Sequence, residues 1–219
     1  MITAILTSVQ KKSKNENKSV IKKSLIKIEK VLEKSPFAPR AGKTIAPIAV
    51  KLKLTELILH LMKRKSPFGL FAILGWQRKW QEHLDISDSY QDIFDKHRIN
   101  IMNIKASKRA RRDVASTVSF DGAILINNKG DILHSGVMIE GLWPRKVAAK
   151  VNPGQFRDLS EQFGFKKKVH TRHLSAIAAS YIFKNTTVFT VSEETGNFHI
   201  FENGQIVFST ASGEIHNVK

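Results

Sequence analysis

The chain has 219 residues, 42% hydrophobic and 25% charged, a balance that suits a globular protein with a real core and excludes a low-complexity one. No apolar run approaches the ~18 residues that cross a bilayer, so a membrane-spanning helix is excluded and a soluble, cytoplasmic protein is expected. Cysteine is absent, which rules out disulfides, thiolate zinc sites and a Cys nucleophile, and the net charge of +17 favours phosphate-bearing partners.

Ile2 to Val9 is apolar but lacks a basic residue ahead of it and a small-residue cleavage site after it, so no secretory signal is expected. Residues 10–19, QKKSKNENKS, read as a solvated linker or frayed terminus. Val20, Ile21, Leu25, Ile28, Val31 and Leu32 then recur at helical spacing, with Ser19 as N-cap and Pro36 beyond the end. A second helix is expected near Leu54 to Lys65, closed by Pro67 and Gly69. A third is expected over Leu70 to His83, and a fourth from Ser89 to about Asn100.

From Phe120 the period changes to alternation. Ala123 to Asn127 and Ile132 to Ile139 read as strands joined by the turn Asn127-Asn128-Lys129-Gly130. A linker or short helix follows Gly141, and Arg172 to Phe183 reads as a helix. Thr187 to Ser192 and Asn197 to Phe201 are strands around Glu194-Thr195-Gly196, and Asn203-Gly204 turns the chain into Ile206 to Ser209. The pattern is α/β, with a mixed central sheet flanked by helices and preceded by a basic helical N-terminal region. The expected division is residues 1–114 and 115–219.

Charge follows a similar division. Residues 1–118 carry 25 Lys and Arg against 10 Asp and Glu, a balance of +15, whereas residues 119–219 carry 11 against 9, a balance of +2. Lys105, Lys108, Arg109, Arg111 and Arg112 form a dense cluster, and Trp76 and Trp80 stand beside Arg78 and Lys79. Aromatic rings between cations can stack on bases, so nucleic-acid binding is one reading of this half. Packing of Trp76 and Trp80, four residues apart, into a core is the simpler one. Docking of the basic helix from Ser19 to Lys34 on an anionic membrane surface is also open.

Three short motifs stand in order: Asp121-Gly122-Ala123, Thr171-Arg172-His173 and Ser192-Glu193-Glu194-Thr195-Gly196. Together, over roughly residues 115–209, they resemble the diadenylate cyclase domain, and the string TVFTVSEETGNFHIF carries the likeness most specifically. The resemblance implies a nucleotidyltransferase that condenses two ATP into cyclic di-AMP with release of pyrophosphate. It also implies Mg2+ or Mn2+ as cofactor and a homodimer or larger homo-oligomer, since each protomer would hold one ATP.

By that resemblance Asp121 orients and activates the attacking ribose hydroxyl and holds the metal, while Gly122 and Ala123 leave room for the adenosine. Thr171 and Arg172 face phosphate at a helix start, where backbone N–H groups and the helix dipole favour anions, and His173 completes the catalytic group. Ser192 and Glu193 contact the nucleotide, and Glu194 is a hard oxygen ligand for the metal. The family pattern has Gly where this chain has His170, and a second Arg where it has Leu174. A missing phosphate donor of that kind lowers the rate by about 100 to 1000-fold. The same fold serving as a nucleotide sensor with weak or no cyclase activity is therefore the alternative.

Overall fold

The computed structural model describes residues 2–35, 46–64, 67–85, 90–94, 97–106 and 108–214. Helix α1 spans Ile2–Lys34 and α2 spans Ile48–Arg64. Ile21, Ile28 and Leu32 on α1, and Val50, Leu54 and Ile58 on α2, are buried at helical spacing, so the two helices pack together along apolar stripes. Residues 10–19 lie within α1 and form no linker, and the helix continues through Ser19 without a cap there. Pro36, expected beyond the first helix, and Lys65, the expected last residue of the second, lie outside the described residues; α2 ends at Arg64, ahead of the expected stops Pro67 and Gly69.

Leu70–Leu74, expected to open a third helix, is strand β1, and all five residues are buried. A short apolar run cannot be assigned to helix or strand by periodicity alone, and here burial on both faces decides for a central strand. Only Arg78–His83 of that stretch is helical, as a 3-10 turn. Ser89, the expected start of the fourth helix, lies outside the described residues. The described part of that stretch holds no helix: it ends in β3, Ile99–Asn100, which follows β2, Leu84–Asp85. A 3-10 turn, Ile101–Ala106, then leads into α3, Lys108–Ser116.

The later elements follow the sequence pattern closely. They are β4 Ala123–Ile126, β5 Asp131–Ile139, α4 Pro144–Val151, α5 Leu159–Gln162, α6 Thr171–Ile182, β6 Thr187–Val191, β7 Phe198–Glu202 and β8 Gln205–Ser209. Asn203 and Gly204 both take positive φ, 50° and 79°, as the two-residue turn between β7 and β8 requires. The strands form one sheet in the order β2-β5-β4-β1-β6-β7-β8, with β3 also pairing with β5. Among the described residues only β1 and β4 run parallel, and the other neighbouring pairs are antiparallel.

Alternation sends Leu70, Ala72 and Leu74 to one face, against α1 and α2, and Phe71 and Ile73 to the other, against α4 and α6. Trp76 (4% exposed) packs edge-on against both Trp80 (9%) and Phe183 in this second layer. Their rings are core, not a stacking surface for bases. The side chain of Lys105 lies outside the described residues.

One buried polar knot fastens the first layer to the sheet. Lys51 of α2 forms an ion pair with Glu202 of β7, and both are 2% exposed. Glu202 also accepts from Ser35 Oγ at 2.8 Å, just past α1, and from Thr187 Oγ1 at 2.7 Å on β6. A charge left alone in such a place is expensive, whereas the intact pair is close to neutral. Lys51→Met is therefore expected to destabilise the fold by about 3–5 kcal/mol, with Glu202→Gln in the same chain recovering most of the loss. Urea unfolding of the single and double variants measures this directly.

Candidate functional site

Two of the three motifs meet. The first turn of α6 and the turn between β6 and β7 line one cleft of about 800 Å³, together with Lys166, Lys167 and Lys168 and, after β8, Thr210, Ala211, Ser212 and Glu214. The meeting follows from topology, because β6 leads straight out of α6 and its last residues return beneath the helix start. His170 precedes α6 in extended conformation and gives it no side-chain cap. No acidic residue stands in the first turn, so no carboxylate of α6 itself offsets the positive end of the helix dipole, which faces the cleft.

Arg172 is the cation at the centre. Its guanidinium lies over Gly69, where a Cβ would overlap it, and it is 3.8 Å from Glu193 Oε2. His170 Nε2 is 3.1 Å from Glu194 Oε2. Both carboxylates are about two-thirds exposed, so these pairs contribute little to stability and yield readily to a competing anion. Ser192 Oγ accepts from the Thr195 N–H at 3.2 Å and shapes the turn. Thr171 is exposed on the outer side of the helix start.

The first motif sits apart. Asp121 is exposed at the bend before β4 and does not line the cleft. The sheet order places it two strands from Ser192, with Gly69 at the head of β1 between them, a spacing of about 10 Å. Gly122 has φ +87°, and a Cβ there would meet the Val137 carbonyl, so the β4–β5 contact demands this glycine. Ala123 is fully buried in the second core layer. Leu174 is half-buried and packs against that same layer.

Among the described residues no group of three or more His, Asp or Glu could hold a metal by itself. The carboxylates that line the cleft beside the α6 start, Glu193 and Glu194, are hard oxygen donors of the kind that suit magnesium or manganese.

The floor of the cleft went unread in the sequence. His199 of β7, 2% exposed, places Nε2 2.7 Å from Glu214 Oε2, and its ring meets His173 edge-on at 5.0 Å. Gly69, read only as a helix stop, proves to be the seat of Arg172. Nothing in local spacing links positions 69 and 172, or 173, 199 and 214. Only the shared residue type, His, hinted at the second group.

Burial, the neighbouring His199, and the charges of Arg172 and His170 push the His173 imidazole down to about 4. Burial also lowers His199, and Glu214 opposes that shift. Between pH 6.5 and about 4 the unfolded chain thus takes up a proton at His173 that the folded chain refuses. The stability present above pH 6.5 falls as the pH drops through that window, by about 3 kcal/mol for His173. His173→Phe is expected to flatten the fall, leaving the part that belongs to His199. Thermal midpoints measured from pH 7 to 4 for both proteins check it.

No family model matches the chain, and no curated protein matches it. Among solved structures it is similar to a hypothetical membrane spanning protein from Bacillus cereus, at 17% identity over 71% of this chain and 61% of that one, with a TM-score of 0.44. It is also similar to DacA from Staphylococcus aureus, solved as a double mutant, at 16% identity over 72% of this chain and 84% of that one, with a TM-score of 0.39. The chain spans 61% of the length of the Bacillus cereus protein.

Proposed function

We propose that the cleft binds ATP and that the protein condenses two ATP molecules into cyclic di-AMP with release of pyrophosphate. The observation that supports this most is the convergence of the α6 start, Arg172 and three lysines on the Ser192-Glu193-Glu194 turn. A helix N-terminus with a forked guanidinium and flanking ammonium groups suits a triphosphate in shape and charge. In each condensation a ribose 3′-oxygen bonds to the α-phosphorus of the other ATP. The bond from that phosphorus to pyrophosphate breaks, and the hydroxyl proton leaves with Asp121 as acceptor.

Arg172 is displaced from Glu193 by the phosphates and neutralises the charge that builds on them. Asp121 lies beyond Gly69, where a nucleotide extended from the helix start would arrive. Mg2+ or Mn2+ would be held by Glu194 with the phosphate oxygens and would neutralise phosphate charge, while Asp121, two strands away, is too far to share that ion. Two chains face to face in a homodimer bring the two nucleotides together.

A second reading, a nucleotide sensor of the same fold, is favoured by Leu174. Its side chain packs toward the second core layer, so Arg172 is the one arginine at the helix start. Incubation with ATP and Mn2+, followed by mass detection of the product, separates the readings. Cyclic di-AMP formation is expected, with Asp121→Asn abolishing it at unchanged circular dichroism and Arg172→Ala lowering it by about 100 to 1000-fold. Calorimetric binding of ATP without product leaves the sensor. An absence of binding at millimolar ATP sinks both.

A further inference from the structure

Thr190 of β6, His199 of β7 and Ser209 of β8 are register partners, so their side chains form one row across three strands beneath α6. The buried residues of α6 include the apolar Ala176, Ile177, Ala178 and Ala179 and the polar His173 and Ser180. A polar row in a core weakens it unless it serves another purpose. Glu214 folds back beyond β8 to meet the row, accepting from Ser209 Oγ at 3.1 Å and from His199 Nε2 at 2.7 Å. A carboxylate only accepts, so the imidazole hydrogen stands on Nε2 and Nδ1 presents a lone pair. His199 Nδ1, His173 Nε2 and Thr190 Oγ1 are buried with no hydrogen-bond partner among the described residues.

We infer that Glu214 and His199 are positioning residues of the nucleotide cleft: the carboxylate fixes the His199 ring, and that ring, edge-on to His173, sets the first turn of α6 from which Arg172 reaches over Gly69. The inference rests on the nucleotide reading of the cleft. It makes the segment after β8 part of the site, since Glu214 lines the cleft and Lys166, another lining residue, packs on Gly213. Support of this kind, acting through a directly engaged residue, commonly changes affinity by roughly tenfold or more.

Calorimetry with ATP and Mn2+ on the full chain, beside imidazole-nitrogen NMR of the same samples, tests it. Glu214→Ala and His199→Phe are expected to weaken binding by roughly tenfold, and Glu214→Ala to move the His173 resonances. Glu214→Gln, whose amide oxygen still accepts from Nε2, is expected to bind like the parent. Should His199→Phe fail to fold, the contrast between Ala and Gln at position 214 decides. Equal affinity in Glu214→Ala and the parent, or unmoved His173 resonances, overturns the inference alone. A parent protein that binds no ATP overturns the proposed function and this inference with it.

Discussion

The fold hangs on a five-residue strand that has no exposed face. Leu70–Leu74 pairs on one side with β4 and on the other with β6, so it joins the chain before position 115 to the chain after it in one sheet. Both core layers are anchored on it, through Leu70, Ala72 and Leu74 on one face and Phe71 and Ile73 on the other. Burying five such side chains removes enough apolar surface to contribute several kcal/mol, at about 1.5–3 kcal/mol for each large one. The strand also sets the site. Its head at Gly69 lies between the Asp121 bend and the Ser192 turn, so the distance between those motifs is fixed by strand spacing and not by loop length.

That central role explains which parts were legible in the sequence. Strands β4 to β8 and helix α6 carry local signals: alternation, the Asn127 to Gly130 and Asn203-Gly204 turns, and an Ala and Ile stripe. The structure follows each to within a residue or two. Strand β1 carries no such signal, because a segment buried on both faces has no period to read. The polar run QKKSKNENKS misled for the opposite reason: it lacks an apolar stripe, yet it lies in α1 between stretches that do pack or propagate helix. Of the site, the α6 start and the Ser192 turn were found because their residues are contiguous. Gly69, His199 and Glu214 were not, because their roles arise from strand order and from the backward turn of the chain after β8.

The site is also where the structure departs from what stability alone would select. Thr190, His199 and Ser209 occupy a row that aliphatic side chains would fill with more buried apolar area and no orphaned lone pairs. His173 is held neutral far below its ordinary range, which removes stability in acid. The Lys51 and Glu202 knot differs in kind, because Lys51, Ser35 and Thr187 each donate to Glu202. Burial is satisfied there, whereas beneath the cleft His173, Thr190 and His199 each keep a buried polar atom without a partner among the described residues.

Electrostatics then accounts for how an anion would enter. Without one, Glu193 and Glu194 stand close to Arg172 and His170, so the carboxylates occupy the positions that phosphates would take. These contacts are exposed and weak, and a triphosphate carries more charge than the two glutamates it would displace. On the proposed reading, the freed glutamates would offer hard oxygen donors to a cation travelling with the phosphates. Gly69 matters at this step. A side chain there would lift the Arg172 guanidinium off β1 and fill the gap between the Ser192 turn and Asp121. On the proposed reading, the missing side chain is what lets one nucleotide bridge the about 10 Å between two motifs that the sheet keeps two strands apart.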